Sequence, residues 1–240
     1  MPDVQNGPME IIATEPLSAE QIRERHERIL HRLREVAEAN GHDPQRLRIV
    51  AVTKAWPLEV SRAAVEAGLT RLGESRLQEA EPKVGALPEA EWHFIGRLQS
   101  NKARRAVRAF PVIHSVDSIE LMERLDQIVA DEGRHTNLML QVNVSGEDAK
   151  AGLVPSALAM VTPPAAARLI GLMTIAPMRA SPEEARAVFG RLRDLRDEFQ
   201  ERIGLELPEL SMGMSLDAEA AAAEGATLVR IGTALFGSRG

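Results

Sequence analysis

Lys54 closes the run Ile49-Val50-Ala51-Val52-Thr53-Lys54. An amine at the mouth of an apolar, β-branched segment is partly desolvated. That lowers a lysine pKa and exposes the neutral nucleophile that Schiff-base formation needs. Most strand-end lysines merely snorkel to water, so a second feature must support the reading. It lies near the end of the chain, where Ser211-Met212-Gly213-Met214-Ser215 and Gly232-Thr233-Ala234 each close an apolar run. Glycine lets backbone N–H groups approach an anion, and serine and threonine hydroxyls add donors. In α/β barrels the loops after strands seven and eight often bind phosphate this way. A phosphate-bearing aldehyde anchored there would reach Lys54 across the mouth. Arg230, two residues before Gly232, points into the same mouth and faces either the phosphate or a ring nitrogen. Beside a pyridine nitrogen, a guanidinium that keeps its proton leaves the ring unprotonated and a weaker electron sink. A structural ion pair is the other reading of Arg230. His93, in Trp92-His93-Phe94-Ile95-Gly96, either contacts such a ring or is a satisfied core histidine.

The elements that must position these groups are short. Apolar runs at Leu47–Thr53, Thr70–Gly73, Trp92–Gly96, Val112–Val116, Leu138–Val144, Leu169–Ile175, Leu210–Met214 and Leu228–Ile231 are mostly continuous, as parallel strands buried on both faces are. Amphipathic stretches separate them. The clearest is Pro182–Ile203, with Val188, Leu192, Leu195, Phe199 and Ile203 at helical spacing. Eight strands alternating with helices predict a single (β/α)8 TIM barrel; an open doubly wound sheet is the alternative. An extra helix precedes the first strand, opened by Ser18 and Gln21 as a capping box. Residues 1–16 read as a flexible tail and 17–240 as the barrel. The crossover at Pro155–Arg168 is weak, with Pro163-Pro164 inside it, and its helix is expected to be short. Polar groups gather at the strand ends: Lys54, Glu74, His93, Ser115, Asp117, Asn143, Thr174, Ser211 and Arg230. That mixture suits a binding mouth.

Composition narrows the function. The 240 residues suit one barrel, and a net charge of −6 argues against nucleic-acid or anionic-membrane partners. No apolar run approaches membrane-spanning length, and MPDVQNGPMEII lacks the basic start and apolar core of a secretory signal. With no cysteine there is no thiol nucleophile or thiolate metal site, and a reducing cytoplasm fits. The histidines show no metal-ligand spacing. Tyrosine is absent too, which removes any mechanism built on a tyrosine acid or base. Lysine is scarce: Lys54, Lys83, Lys102 and Lys150 stand against 25 arginines, and the last three lie in helical or loop patterns. Arg97, Lys102, Arg104, Arg105 and Arg108 form a basic patch that reads as a solvated helix face.

The blocks VAVTKAWP, LGESRLQEAEPK, WHFIGRLQSNK, HSVDS, QVNVSGEDAKAG, GLMTIAPM, LSMGMSLDAEAA and VRIGTALFGSR, in this order from Ser18 onward, resemble the pyridoxal phosphate homeostasis proteins, the YggS/PROSC family. The resemblance implies a fold like the N-terminal barrel of alanine racemase and pyridoxal 5′-phosphate (PLP) held as a Schiff base. It places the cofactor lysine at Lys54, the phosphate loops at Ser211, Met212 and Gly213 and at Gly232 and Thr233, the ring-nitrogen arginine at Arg230, and His93 and Met173 along the cofactor. It further implies a role in balancing intracellular cofactor, amino acids and keto acids, with no established reaction. Two positions depart from the family pattern. Ser75 stands where an asparagine beside the cofactor is usual, and Arg97 replaces a histidine, so altered rim contacts are expected. The stretch 151–168 is also shorter than the usual helix.

The expected function is a monomeric, cytoplasmic PLP carrier and buffer without robust catalysis, with PLP-dependent apoenzymes as recipients. The main alternative is an amino-acid racemase or decarboxylase of the alanine-racemase fold. Racemisation in that fold needs a tyrosine base on the opposite face, and this sequence has none. A Schiff-base aldolase would explain Lys54 and the phosphate loops but not Arg230.

Overall fold

The computed structural model describes residues 17–147 and 151–238. The tail expected at 1–16 lies outside them, as does Lys150. Eight parallel strands close into a barrel in chain order: β1 (Arg48–Val52), β2 (Arg71–Glu74), β3 (Glu91–Phe94), β4 (Val112–Val116), β5 (Asn137–Gln141), β6 (Arg168–Met173), β7 (Glu209–Met214) and β8 (Leu228–Ile231). β8 pairs with β1 through Ala51 and Ile231, so the sheet has no edge. The open-sheet alternative is thereby excluded. β1, β3, β5 and β6 end one to three residues before the apolar runs do, β2 runs one residue further, and β4, β7 and β8 end where their runs end.

The added helix is α1 (Ala19–Ala39), and the Ser18–Gln21 capping box is present. Then come α2 (Leu58–Glu66), α3 (Leu77–Ala86), α4 (Ala103–Ala109), α5 (Ile119–Glu132), α6 (Pro182–Ile203), α7 (Ala218–Ala223) and α8 (Thr233–Phe236). α6 has the predicted bounds, capped by Ser181 and Glu184 at one end and by left-handed Gly204 at the other. Its buried face is Ala185, Phe189, Leu192, Leu195 and Phe199, one helical stripe.

Among the described residues between β5 and β6 the one helical element is a 3₁₀ turn, Pro155–Met160. Prolines at 163 and 164 offer no N–H groups and stop a helix. Other groups satisfy the exposed backbone. The Asp126 carboxylate of α5 accepts N–H bonds from Ala165, Ala166 and Ala167 at 3.0, 2.7 and 2.7 Å. Arg202 of α6 donates to the Leu158 and Val161 carbonyls at 2.8 and 2.9 Å.

The main core lies between sheet and helices. A second, smaller apolar cluster of Val50, Val112, Met139, Ile170, Met173 and Leu228 fills part of the barrel interior. The rest of that interior is polar. The basic patch resolves into ion pairs: Arg104 and Arg108 with Glu132, and Arg105 with Glu81.

Candidate functional site

Lys54 sits two residues beyond β1, in a turn at the C-terminal mouth, and its side chain is exposed. The expected desolvation of this lysine is therefore not found: the turn lifts it clear of the apolar strand. The turn itself is strained. Ala55 has φ +60, and no other described non-glycine residue has positive φ. Such strain persists where surrounding contacts over-determine it. Close to it lies the Glu79 carboxylate, which Arg76 holds at 2.7 Å.

Beneath the turn is an ion pair the sequence did not reveal. Lys83 of α3 donates to the Thr53 carbonyl at 2.9 Å and to Glu74 Oε1 at 2.6 Å, and Thr53 Oγ1 donates to the same oxygen at 2.8 Å. Both partners are buried, and Glu74 Oε2 has no hydrogen-bond partner. A signal was present: Lys83 falls in register with Leu77, Ala80 and Leu87, the apolar stripe of its helix.

Because β8 pairs with β1, Gly232 lies against Val52, where an added Cβ would sit 3.5 Å from the valine Cβ. The loop after β8 is thus beside the strand that leads to Lys54 rather than across the mouth from it, and the loop after β7 lies one strand further on. Gly213 has φ +86 and packs so closely on α7 that a Cβ would meet that of Ala221 at 2.5 Å. The Ala234 N–H donates to Ser215 Oγ at 3.4 Å and ties the two loops together. Beside Ser215 and Ala234 opens a cavity of about 470 Å³, bounded by α1, α6 and α7. Ser211 and Met212 do not lie in that loop. They are buried within β7, which runs on to Met214. Gly232 and Thr233 remain accessible.

Arg230 is buried in the barrel interior, level with Val50, about 13 Å below Lys54 along the strand direction. Its NH1 donates to Ser211 Oγ at 2.6 Å and its NH2 to the Thr174 carbonyl at 3.0 Å. Burial pulls this guanidinium down to about 10, which leaves it charged at neutral pH. Among the described residues no acid forms an ion pair with it, so the ion-pair reading of Arg230 is not what they show. Met173 ends β6 next to Thr174 and is buried in the inner apolar cluster.

His93 is not at the mouth. Strand alternation turns it and Glu91 inward near the N-terminal end of β3, where Nε2 meets Glu91 Oε1 at 2.7 Å and Nδ1 meets His114 Nε2 at 2.7 Å. Both ring nitrogens are engaged, so His93 is closer to a satisfied core histidine than to a ring contact. Ser75 lies half-buried at the end of β2, its carbonyl so near Gly96 that a Cβ there would stand 2.1 Å away. Arg97 is exposed and lines a mouth cavity of about 300 Å³ with Gln141, Asn143 and Thr174.

The closed eight-stranded parallel barrel accords with the alanine racemase N-terminal domain, whose family model matches residues 25–240. The chain belongs to this family, and within it to the pyridoxal phosphate homeostasis proteins. The Pyridoxal phosphate homeostasis protein of Aquifex aeolicus (strain VF5) is 40% identical over 224 residues, covering 90% of this chain and 97% of the relative. The solved structure of PipY from Synechococcus elongatus PCC7942 with PLP bound is 40% identical, with a TM-score of 0.77, and covers 90% of this chain and all of that one. Alanine racemase of Clostridium difficile 630 shares the fold at 13% identity and a TM-score of 0.74, with this chain covering only 60% of it.

Proposed function

We propose that this protein binds PLP at the C-terminal mouth, held by Lys54 as a Schiff base, and serves PLP homeostasis as a carrier and buffer. The observation that carries the reading is the adjacency of an exposed Lys54 on β1 to the Gly232-Thr233 loop on β8, within a family whose member PipY has been solved with PLP bound. The residues fit the cofactor. Gly232 and Thr233 are open to an anion, and a guanidinium with five donors uses only two on Ser211 and Thr174. When bound, PLP supplies an aldehyde to the lysine and a ring that can delocalise charge. Arg230 is the group we assign to the ring nitrogen, and Gly213, Gly232 and Thr233 to the phosphate.

The protein is best read as non-catalytic. Its relatives carry the name of homeostasis proteins rather than enzymes, and the chain has no tyrosine to act as a second base. An exposed Lys54 suits reversible loading and hand-over to PLP-dependent apoenzymes. We further assign it to the cytoplasm, as a monomer; no described helix is long and apolar enough to cross a membrane. Titration with PLP should give a saturable coloured complex, and assays for amino-acid racemisation and decarboxylation should show no robust turnover. Turnover on any amino acid would overturn the non-catalytic reading, and a colourless protein would overturn the cofactor reading.

A further inference from the structure

Inside the barrel, polar contacts run unbroken from Arg230 in its interior to the N-terminal face. Arg230 NH1 reaches Ser211 Oγ at 2.6 Å, Ser211 Oγ reaches His114 Nδ1 at 2.8 Å, His114 Nε2 reaches His93 Nδ1 at 2.7 Å, and His93 Nε2 reaches Glu91 Oε1 at 2.7 Å. Four strands contribute: β8, β7, β4 and β3. The lower end opens into a cavity of about 250 Å³ at the N-terminal face, where Arg48, Arg71, Arg168 and Glu209 join Glu91 and His93.

The two ends cannot exchange roles. A guanidinium only donates, and a carboxylate only accepts. Glu91 therefore accepts from His93, so a neutral His93 carries its proton on Nε2 and accepts at Nδ1 from His114 Nε2–H. A neutral His114 is then bare at Nδ1 and accepts the Ser211 hydroxyl proton, while Ser211 Oγ accepts from Arg230. Each direction follows from the one before.

We propose that Glu91, His93 and His114 are positioning residues for Arg230, forming with Ser211 a one-way hydrogen-bond relay that holds both imidazoles as neutral Nε2–H tautomers. Burial supports the neutral forms. It holds His114 well below the ordinary histidine range, aided by the charge of Arg230, and lowers His93 against the opposing pull of Glu91. The charged groups around His93 are Glu91 on its own strand, Arg71 on β2 and Glu209 on β7; Arg48 on β1 is taken by Glu209 at 2.6 Å.

The one rival order needs an extra proton. Adding it at His114 Nδ1 and moving the Nε2 proton across to His93 Nδ1 makes His93 a cation that donates to both neighbours. His114 then donates to Ser211, whose hydroxyl proton must leave the line. One proton thus reverses the two directions between His93 and the oxygen that Arg230 holds. Through this relay the N-terminal face is coupled to Arg230, and, on the ring-nitrogen reading given above, to the bound cofactor.

The test is nitrogen NMR of ¹⁵N-histidine-labelled protein without cofactor at neutral pH. His93 and His114 should each show a bare Nδ1 and a protonated Nε2. A protonated Nδ1 on either ring would overturn the relay. Glu91→Leu removes the fixed acceptor, and the order should reverse: His93 turns to Nδ1–H, and so does His114, two hydrogen bonds from the change. A flip confined to His93 would contradict the coupling, because a local structural role would produce that alone. If Glu91→Leu does not fold, the wild-type tautomers still decide the matter. With PLP added, Glu91→Leu should shift the absorption band of the bound cofactor. An unmoved band on a variant that binds PLP normally would sever the link to the ring, whereas failure of the wild type to bind PLP would strike the proposed function and leave the tautomer result standing.

Discussion

Lys83 Nζ lies 2.6 Å from Glu74 Oε1 and 2.9 Å from the Thr53 carbonyl, so a buried ion pair sits directly below the turn that carries Lys54. Removing one member strands the other in a low-dielectric site. Lys83→Met should cost about 3–5 kcal/mol, and Lys83→Met with Glu74→Leu should recover most of it, since a well-packed apolar pair often replaces a buried salt bridge without loss. Denaturant unfolding of the three proteins measures this. A single-variant cost below about 1 kcal/mol would mean that water or rearrangement reaches Glu74.

Arg230 bridges Ser211 on β7 and the Thr174 carbonyl after β6 with two separate N–H groups. Lysine offers one ammonium in place of that planar fork. Arg230→Gln should weaken PLP binding by about 10- to 150-fold, the range for losing a hydrogen bond from a charged group. Arg230→Lys should fall between it and the wild type. Equilibrium titration gives the affinities, and equal affinity in all three would remove Arg230 from the site.

Gly96 and Gly85 make a contrasting pair. A Cβ at Gly96 would lie 2.1 Å from the Ser75 carbonyl oxygen, which is backbone and cannot rotate away, while nothing lies within 4 Å of one at Gly85 in α3. Gly96→Ala should destabilise by about 1–3 kcal/mol and lower PLP affinity by displacing Ser75. Gly85→Ala should stabilise by about 0.5–1 kcal/mol, through helix propensity. Thermal melts with and without PLP separate the two effects.

Stability should depend on pH through the buried histidines. Both His93 and His114 have lowered folded pKa values, so the unfolded chain binds more protons. Their contribution is complete above the unfolded value of about 6.5 and declines as pH falls below it, at up to about 1.4 kcal/mol per pH unit for each ring that stays neutral. Glu91 is also depressed, chiefly by its bond from His93, so its contribution is lost only on further acidification, below the carboxylate range. Unfolding free energy should fall steeply from pH ~6.5 to pH ~5. His114→Gln should flatten that slope, and an equal slope in the variant would exclude His114 as its source.

The barrel was legible because buried parallel strands leave continuous apolar runs, and all eight fell where those runs lie. Lys54 was legible because it ends the first run, and α6 because its caps and stripe agree. The polar interior was not. His93 and Ser211 were placed at the mouth, yet both lie within strands and face inward. His114 drew no attention at all, since β4 is buried throughout and its sequence does not distinguish inward from outward positions. The contacts among His93, His114, Ser211 and Arg230 join strands up to 97 residues apart, a distance no local periodicity spans. Lys83 was the avoidable omission, as a lysine on an apolar stripe is itself a signal. At the weak crossover the prolines correctly foretold little helix, but not that Asp126 would supply the missing hydrogen bonds.

The central claim is that Lys54, and not another amine, holds PLP. Borohydride reduction of the PLP-loaded protein, followed by proteolysis and mass spectrometry, reads this directly. The account predicts the cofactor mass on the peptide containing Lys54, with Lys54→Ala losing both the adduct and the visible absorption. An adduct that stays in Lys54→Ala, or that maps instead to Lys83 or Lys102, would contradict it.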